Sequence, residues 1–158
     1  MTTPTRAKPV ITTSRAIWRG EHRFEAGPEG RTALVDAGGP TGPGPVETLL
    51  NAIATCSGVD VIDILAKRRT PLARFEVLVS AQRRAEAPRR LQRLELEFRI
   101  DGDGIDAEHA ERAIQLSFEK YCSVAASLAS DIAVETRLTL NGQRFPARAR
   151  RIWTPVGQ

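Results

Sequence analysis

The sequence is poor in the residue types that most often carry chemistry. Its 158 residues include two cysteines, two histidines, one tyrosine and one methionine, and aromatic residues make up 5% of the chain. The histidines, His22 and His109, have no acidic or cysteine partners at metal-ligand spacing. The run GPGP at residues 42–45 lacks the lysine and the serine or threonine of a phosphate-binding loop. These shortages argue against a metal centre and a nucleotide-binding site. The two cysteines are therefore the main candidates for a catalytic or redox-active site.

Long apolar stretches are also missing. No run of 18 or more consecutive apolar residues occurs, so we expect no transmembrane helix. The N-terminal MTTPTRAKPVITTS lacks the apolar segment of a secretory signal. Two cysteines in such a chain are typical of the cytoplasm, where paired thiols are more often catalytic or redox-sensing than structural. We therefore predict a cytoplasmic protein without membrane contact.

Positive charge is concentrated at the ends of the chain. The net charge is +4, and residues 143–158 contain four arginines and no acidic residue. Basic tails can bind nucleic acid, but the mixed charge of the remaining sequence does not form the basic face of a nucleic-acid-binding domain. We interpret residues 1–13 as a flexible lead, 14–142 as one domain and 143–158 as a solvated basic tail. Nucleic-acid contact through RFPARARR stays an open alternative.

Hydrophobic periodicity predicts an α+β fold. Alternating apolar and polar residues indicate strands, and apolar residues every three or four positions indicate helices. The predicted strands are two or three within 14–36, then 75–80, 94–101 and 132–140; the predicted helices are 46–69, 106–121 and 123–130. Runs of strands separated by helices favour an antiparallel sheet with helices on one face.

The helix predicted over residues 46–69 is apolar nearly all round. Gly44 is its expected N-cap, Pro45 suits the first helical position, and Glu47 places an acid in the first turn. A helix without a polar face is expected to be buried on all sides. One sheet covers one side, so a second subunit is the simplest candidate to cover the other.

The two cysteines lie 66 positions apart in two apolar helical segments. Cys56 lies in ETLLNAIATCSGVDVIDIL and Cys122 in FEKYCSVAASL. They are either inert core thiols or, if they meet in the fold, a redox couple. Cys122 begins a short predicted helix, where the helix dipole favours the thiolate, whereas Cys56 in mid-helix needs a cation. Asp60 would oppose a thiolate at Cys56 unless it is neutralised by an arginine or paired elsewhere in the fold.

Both cysteine motifs resemble a known family. PVETLLNAIATCSGVDVIDIL and the later ERAIQLSFEKYCSVAASL are similar to the OsmC/Ohr superfamily, and most of all to its YhfA-like branch, over about residues 16–141. The resemblance implies an OsmC/Ohr-like fold with antiparallel sheets packed around long central helices. It also implies an intertwined homodimer with two sites at the subunit interface.

The chemistry implied by this resemblance is peroxide reduction by two cysteines. Cys56 would attack an organic hydroperoxide or hydrogen peroxide and become a sulfenic acid, and Cys122 would resolve it to a disulfide. An external dithiol would reduce the disulfide, with no bound cofactor or metal. The alternative is a non-catalytic thiol redox sensor or a small-ligand-binding dimer on the same fold.

Two further residue types belong to the implied site. Glu47 matches the glutamate that begins the central helix of the family. Peroxidase members also use an arginine to activate the thiolate, but residues 36–46 of this chain contain none. Arg19, Arg23 and Arg31 are the substitutes available from the strands, and we favour Arg23.

Overall fold

The computed structural model describes residues 8–154 of the chain. The described residues form two compact units, divided between Thr48 and Leu49 inside the first helix. Residues 8–14, the described part of the predicted lead, have no regular secondary structure.

The first unit contains a three-stranded antiparallel sheet. Its strands are β1 (Arg15–Trp18), β2 (Arg23–Gly27) and β3 (Ala33–Asp36), in the order β1-β2-β3. The loop after β3 is closed by Asp36, whose carboxylate accepts from the Gly38 N–H at 3.1 Å and from the Thr41 hydroxyl. The Thr41 hydroxyl, followed by the Gly38 N–H, lowers the pKa of Asp36. The chain then enters α1 (Pro45–Ala66).

The second unit contains a five-stranded sheet, the main part of α1 and two shorter helices. The strands are β4 (Arg74–Arg83), β5 (Leu91–Asp101), β6 (Ala133–Leu140), β7 (Gln143–Arg144) and β8 (Arg148–Arg150). The helices are α2 (Ala107–Leu116) and α3 (Ser123–Ala126), joined through a π-helical turn (Ser117–Tyr121). The α+β class is confirmed. The pair β5–β6 is parallel rather than antiparallel, because the helices between them return the chain to the same edge of the sheet.

Alternation along β5 creates the core of the second unit. Leu94, Leu96, Phe98 and Ile100 are at most 1% exposed, whereas the residues between them are charged. Burying an aliphatic or aromatic side chain contributes about 1.5–3 kcal/mol, so this single strand face is a major stabilising element. The other fully buried apolar side chains come mainly from the helices and β6: Ile53, Val61, Leu65, Ile114, Phe118 and Leu138.

Helix α1 retains a large apolar surface. Only 28% of the residues in its most apolar 18-residue window are buried, and Val59 is 56% exposed. By length and composition this helix is a candidate membrane span, a property that central helices of soluble proteins share. Residues 8–154 of one chain therefore do not bury this helix on all sides, and the second subunit that would complete its burial stays a prediction.

Residues 143–150, which the sequence predicts to belong to a solvated tail, are mostly exposed but form two short strands of the sheet. Strand β7 pairs with the end of β6, and β8 pairs with Val134–Thr136 of the same strand. The Arg150 side chain is 6% exposed, and its guanidinium donates to Glu111 at 2.5 Å and to the Thr136 hydroxyl at 2.5 Å. The buried carboxylate of Glu111 in α2 thus holds this arginine-rich segment against the rest of the unit. Residues 155–158 of the predicted tail lie outside the described residues.

Candidate functional site

The candidate site lies where the middle of α1 meets the end of the π-helical turn. Cys56 is on α1 and partly exposed, and Cys122 follows the π-helical turn and is 2% exposed. Both thiols are free. They are close enough for Cys56 to raise the pKa of Cys122. The structure therefore brings together the two residues that the sequence singled out.

The π-helical turn positions Cys122. Its widened turn is closed by the Cys122 N–H, which donates to the Ser117 carbonyl five residues earlier at 2.7 Å. Such turns are rare in proteins, and those that occur are often found at functional sites. Cys122 then serves as the N-cap of α3, with its Sγ accepting from the Ala125 N–H at 3.4 Å. One backbone irregularity thus fixes both the thiol and the helix that follows it.

The pKa of Cys122 is raised to about 12, and burial is the largest cause. The hydrogen bond from the Ala125 N–H acts in the opposite direction, and the Cys56 thiol and the Asp60 carboxylate raise the pKa further. The N-terminal N–H of α3 thus favours a thiolate at Cys122 in the expected direction, but burial outweighs it. Helix α3 has only four residues, so its dipole is too small to offset the removal of the sulfur from water.

Asp60 contributes the second element of the site. Its Oδ2 accepts a hydrogen bond at 2.7 Å from the hydroxyl of Ser117, which is itself fully buried. Of the two alternatives open from the sequence, pairing elsewhere in the fold is the one observed, and the partner is a serine rather than an arginine. Sequence reasoning missed Ser117, which falls on the apolar stripe of its helix. Ser117 lies five residues before Cys122, and only a π-helical turn joins residues at that spacing by a backbone hydrogen bond.

Glu47 belongs to the first unit, where it caps α1. Its Oε2 accepts from the Gly44 N–H at 2.7 Å, while the Thr48 N–H donates to the Gly44 carbonyl at 2.8 Å. This is half of a capping box, in which the third helical residue returns to the N-cap backbone. The predicted helix start is confirmed. A role for Glu47 in catalysis stays a prediction.

The three arginines considered as activators also lie in the first unit. Arg19 is paired with Glu25 at 2.6 Å, and Arg31 is exposed. Arg23 contacts the Glu21 carboxylate at 3.4 Å, and its Nε is buried without a hydrogen-bond partner. Among these three, Arg23 is thus the one with an unsatisfied buried donor, and its assignment as the activating residue stays a prediction. Within residues 8–154 we find no cluster of three or more His, Cys, Asp or Glu side chains that could hold a metal ion.

Comparison with known proteins identifies the family. The family model described as OsmC-like protein matches residues 38–137, a stretch that contains both cysteines. The chain belongs to the OsmC-like family. The resemblance seen in the two cysteine motifs is thereby confirmed.

Individual relatives of this OsmC-like chain agree with that assignment. Protein YhfA of Escherichia coli K12 is 40% identical over 100 residues, which cover 63% of this chain and 75% of YhfA. A crystal structure of a hypothetical protein from Aquifex aeolicus superposes with a TM-score of 0.76 at 26% identity, covering 84% of this chain and 98% of the other. The organic hydroperoxide resistance protein OhrB of Bacillus subtilis shares the fold, with a TM-score of 0.54 at 16% identity over 84% of this chain and all of OhrB.

Proposed function

We propose that this OsmC-like protein is a two-cysteine thiol peroxidase that reduces organic hydroperoxides or hydrogen peroxide in defence against oxidative stress. The observation that carries the proposal is the pairing of a partly exposed thiol, Cys56, with a buried neighbouring thiol, Cys122. This asymmetry suits a peroxidatic and a resolving cysteine, because the peroxide must reach the first thiol, whereas the second reacts only after the first has been oxidised. The fold shared with a protein named for organic hydroperoxide resistance supports the same chemistry.

The roles of the two cysteines follow from their surroundings. The Cys56 thiolate attacks the distal oxygen of the peroxide, the O–O bond breaks, and Cys56 becomes a sulfenic acid while an alcohol or water leaves. The Cys122 thiol then attacks the Cys56 sulfur, forming the disulfide and releasing water. Because burial raises the pKa of Cys122 to about 12, Cys122 is protonated at neutral pH and suits the second step rather than the first. A dithiol reductant returns both cysteines to the thiol state.

The apolar surface of α1 supports an intertwined homodimer. A shallow groove of about 270 Å³ runs between α1 and β4 and is lined by apolar residues that include Val59, Ile62 and Phe75. Covering this groove with a second copy would bury Val59, which is 56% exposed, and would remove apolar area from water. We further propose that Glu47 and Arg23 complete the site in the dimer, with Arg23 stabilising the Cys56 thiolate. The free thiols favour a cytoplasmic location.

The experiment that tests the proposal follows thiol loss in reduced protein after a stoichiometric addition of cumene hydroperoxide or hydrogen peroxide. Wild type should lose both thiols rapidly, Cys122→Ser should stop at a sulfenic acid that dimedone traps, and Cys56→Ser should not react. Thiol loss in wild type no faster than that of a free cysteine would reject the peroxidase.

One observation favours a second candidate, a thiol sensor without turnover. The Asp60 carboxylate raises the pKa of Cys122 and thus opposes its thiolate. A sensor would form the same disulfide but would not be reduced repeatedly by a dithiol. Sustained peroxide consumption in the presence of dithiothreitol separates the two, since only the peroxidase should exceed one equivalent per site.

A further inference from the structure

We propose that the second unit binds a small phosphorylated sugar or polyol in a cleft beside α2, which we call the α2 cleft. Its walls are formed by α2, by the turn that follows α1 and by the segment that ends in β8. Its volume of about 660 Å³ lies within the range of about 300–1,000 Å³ that is usual for small-molecule sites. Neither cysteine lines this cleft, so the inference goes beyond the proposed function and does not depend on it.

Three arginines from three separate parts of the chain line the α2 cleft. Arg68 follows α1, Arg112 lies on α2 and Arg148 begins β8. Such a concentration of like charge in one concavity is unfavourable unless a negative charge offsets it. Guanidinium groups match the geometry of carboxylate and phosphate oxygens, so the arrangement indicates an anionic ligand.

Within the described part of the chain, these arginines use few of their hydrogen-bond donors. Arg112 donates one hydrogen bond, to Gln115 at 3.0 Å, and the Arg148 Nε lies 3.7 Å from the Glu111 carboxylate. No acidic side chain of the described residues lies within 4.0 Å of the Arg68 guanidinium. Since each guanidinium carries five N–H donors, most of them remain available for the oxygens of a ligand in the cleft.

Glu111 adds an unsatisfied acceptor to the wall of the α2 cleft. Its side chain is 10% exposed, and its Oε2 accepts from the Arg150 guanidinium at 2.5 Å. Its Oε1 is buried and has no hydrogen-bond partner among the described residues. A buried carboxylate oxygen without a donor is costly, so a donor from a ligand would stabilise this wall. Because Arg150 already offsets the charge of Glu111, a hydroxyl group suits this oxygen better than an ammonium group.

The charge of the walls favours a phosphate over a single carboxylate. The three arginines share the cleft with two acidic residues, Glu108 and Glu111, and Arg150 offsets the second of these. The neighbouring carboxylate of Asp106 is bound by the N–H and the ring of His109. Four arginines against two glutamates leave a net charge of +2. A phosphate monoester, which carries about −1.5 to −2 at pH 7, balances this charge more closely than a carboxylate does.

Isothermal titration calorimetry of the full-length protein with glucose 6-phosphate tests the inference. We expect saturable binding at low ionic strength that weakens as salt is added, because salt screens exposed charges. Glucose lacks the anion and methyl phosphate lacks the hydroxyl groups. Each should bind at least about tenfold more weakly, which is the smallest effect expected from losing hydrogen bonds to charged groups. Cys56→Ser should bind glucose 6-phosphate as wild type does, since the cleft and the thiols are separate.

Two arginine variants show whether the α2 cleft is the binding site. Arg112→Gln should weaken the binding of glucose 6-phosphate by about tenfold or more, and should leave the circular dichroism spectrum unchanged because this side chain is exposed. Arg89→Gln removes an exposed arginine from the turn between β4 and β5 and should bind as wild type does. No binding in wild type, equal weakening in both variants, or binding of methyl phosphate as tight as that of glucose 6-phosphate would overturn the inference.

Discussion

Replacing Arg150 with methionine is expected to destabilise the protein strongly, although this arginine lies eight residues from the C-terminus. Its side chain is 6% exposed and donates two hydrogen bonds of 2.5 Å, to the Glu111 carboxylate and the Thr136 hydroxyl. Methionine retains most of the length and the apolar stem but none of the donors. The change therefore tests the polar contacts of β8 rather than its packing.

The magnitude follows from what the substitution leaves behind. The Glu111 side chain is 10% exposed, and its Oε1 is buried without a hydrogen-bond partner. Without Arg150 its remaining cation is Arg148, whose Nε lies 3.7 Å away on a side chain that is 61% exposed. Removing one partner of a buried ion pair costs about 3–5 kcal/mol because the other charge stays buried. Domains are typically stable by about 5–15 kcal/mol, so a large share of the stability is at stake.

Urea denaturation followed by circular dichroism, at one fixed protein concentration, measures this loss. Arg148→Met is the matched control in the same strand and should cost less than about 1 kcal/mol, because its ion pair is long and exposed. The double variant Glu111→Leu/Arg150→Met should recover most of the stability, since no uncompensated charge remains. A loss in Arg150→Met as small as that in Arg148→Met, or a double variant no more stable than Arg150→Met, would show that the buried ion pair does not stabilise the protein as expected.

Four other predictions concern the thiol of Cys122, the exposed face of α1 and the cap of α2. In Cys56→Ser, Cys122 should show no thiolate absorbance at 240 nm up to about pH 10, because burial, the largest cause of its raised pKa, remains in this variant; titration near pH 9 would contradict this. The same shift implies stability that is present below the ordinary thiol pKa and declines as pH rises from about 9 towards 12, which urea melts across this range would detect. Val59→Asp should place a charge on the exposed apolar face of α1 and convert a homodimer to monomer in analytical ultracentrifugation, whereas an unchanged mass would exclude this face as the interface. Asp106→Ala should lower the melting temperature, because Asp106 caps α2 by accepting from the His109 N–H at 2.9 Å.

Local sequence patterns were sufficient to predict most of the secondary structure. The alternation in β5, the Gly-Pro-rich loop before α1 and the Asp106 cap each produced the predicted element, because strand period, helix capping and turn chemistry act over a few residues. The two cysteine motifs likewise identified the family and the thiols of the candidate site. These features depend on residues that are neighbours in the chain, and they can therefore be predicted without knowledge of the fold.

Other features depend on partners that are distant in the chain, and they become visible only in the folded structure. The parallel pairing of β5 with β6, the burial of Arg150 against Glu111 and the contact of Ser117 with Asp60 each join residues at least 14 positions apart. The raised pKa of Cys122 belongs to the same class, because a short helix favours the thiolate whereas the surrounding core opposes it more strongly. The residue type shows which hydrogen bonds and ion pairs a side chain can form, but burial and the neighbours in the fold determine which of them it forms. Those are properties of the packed chain, and no local pattern encodes them.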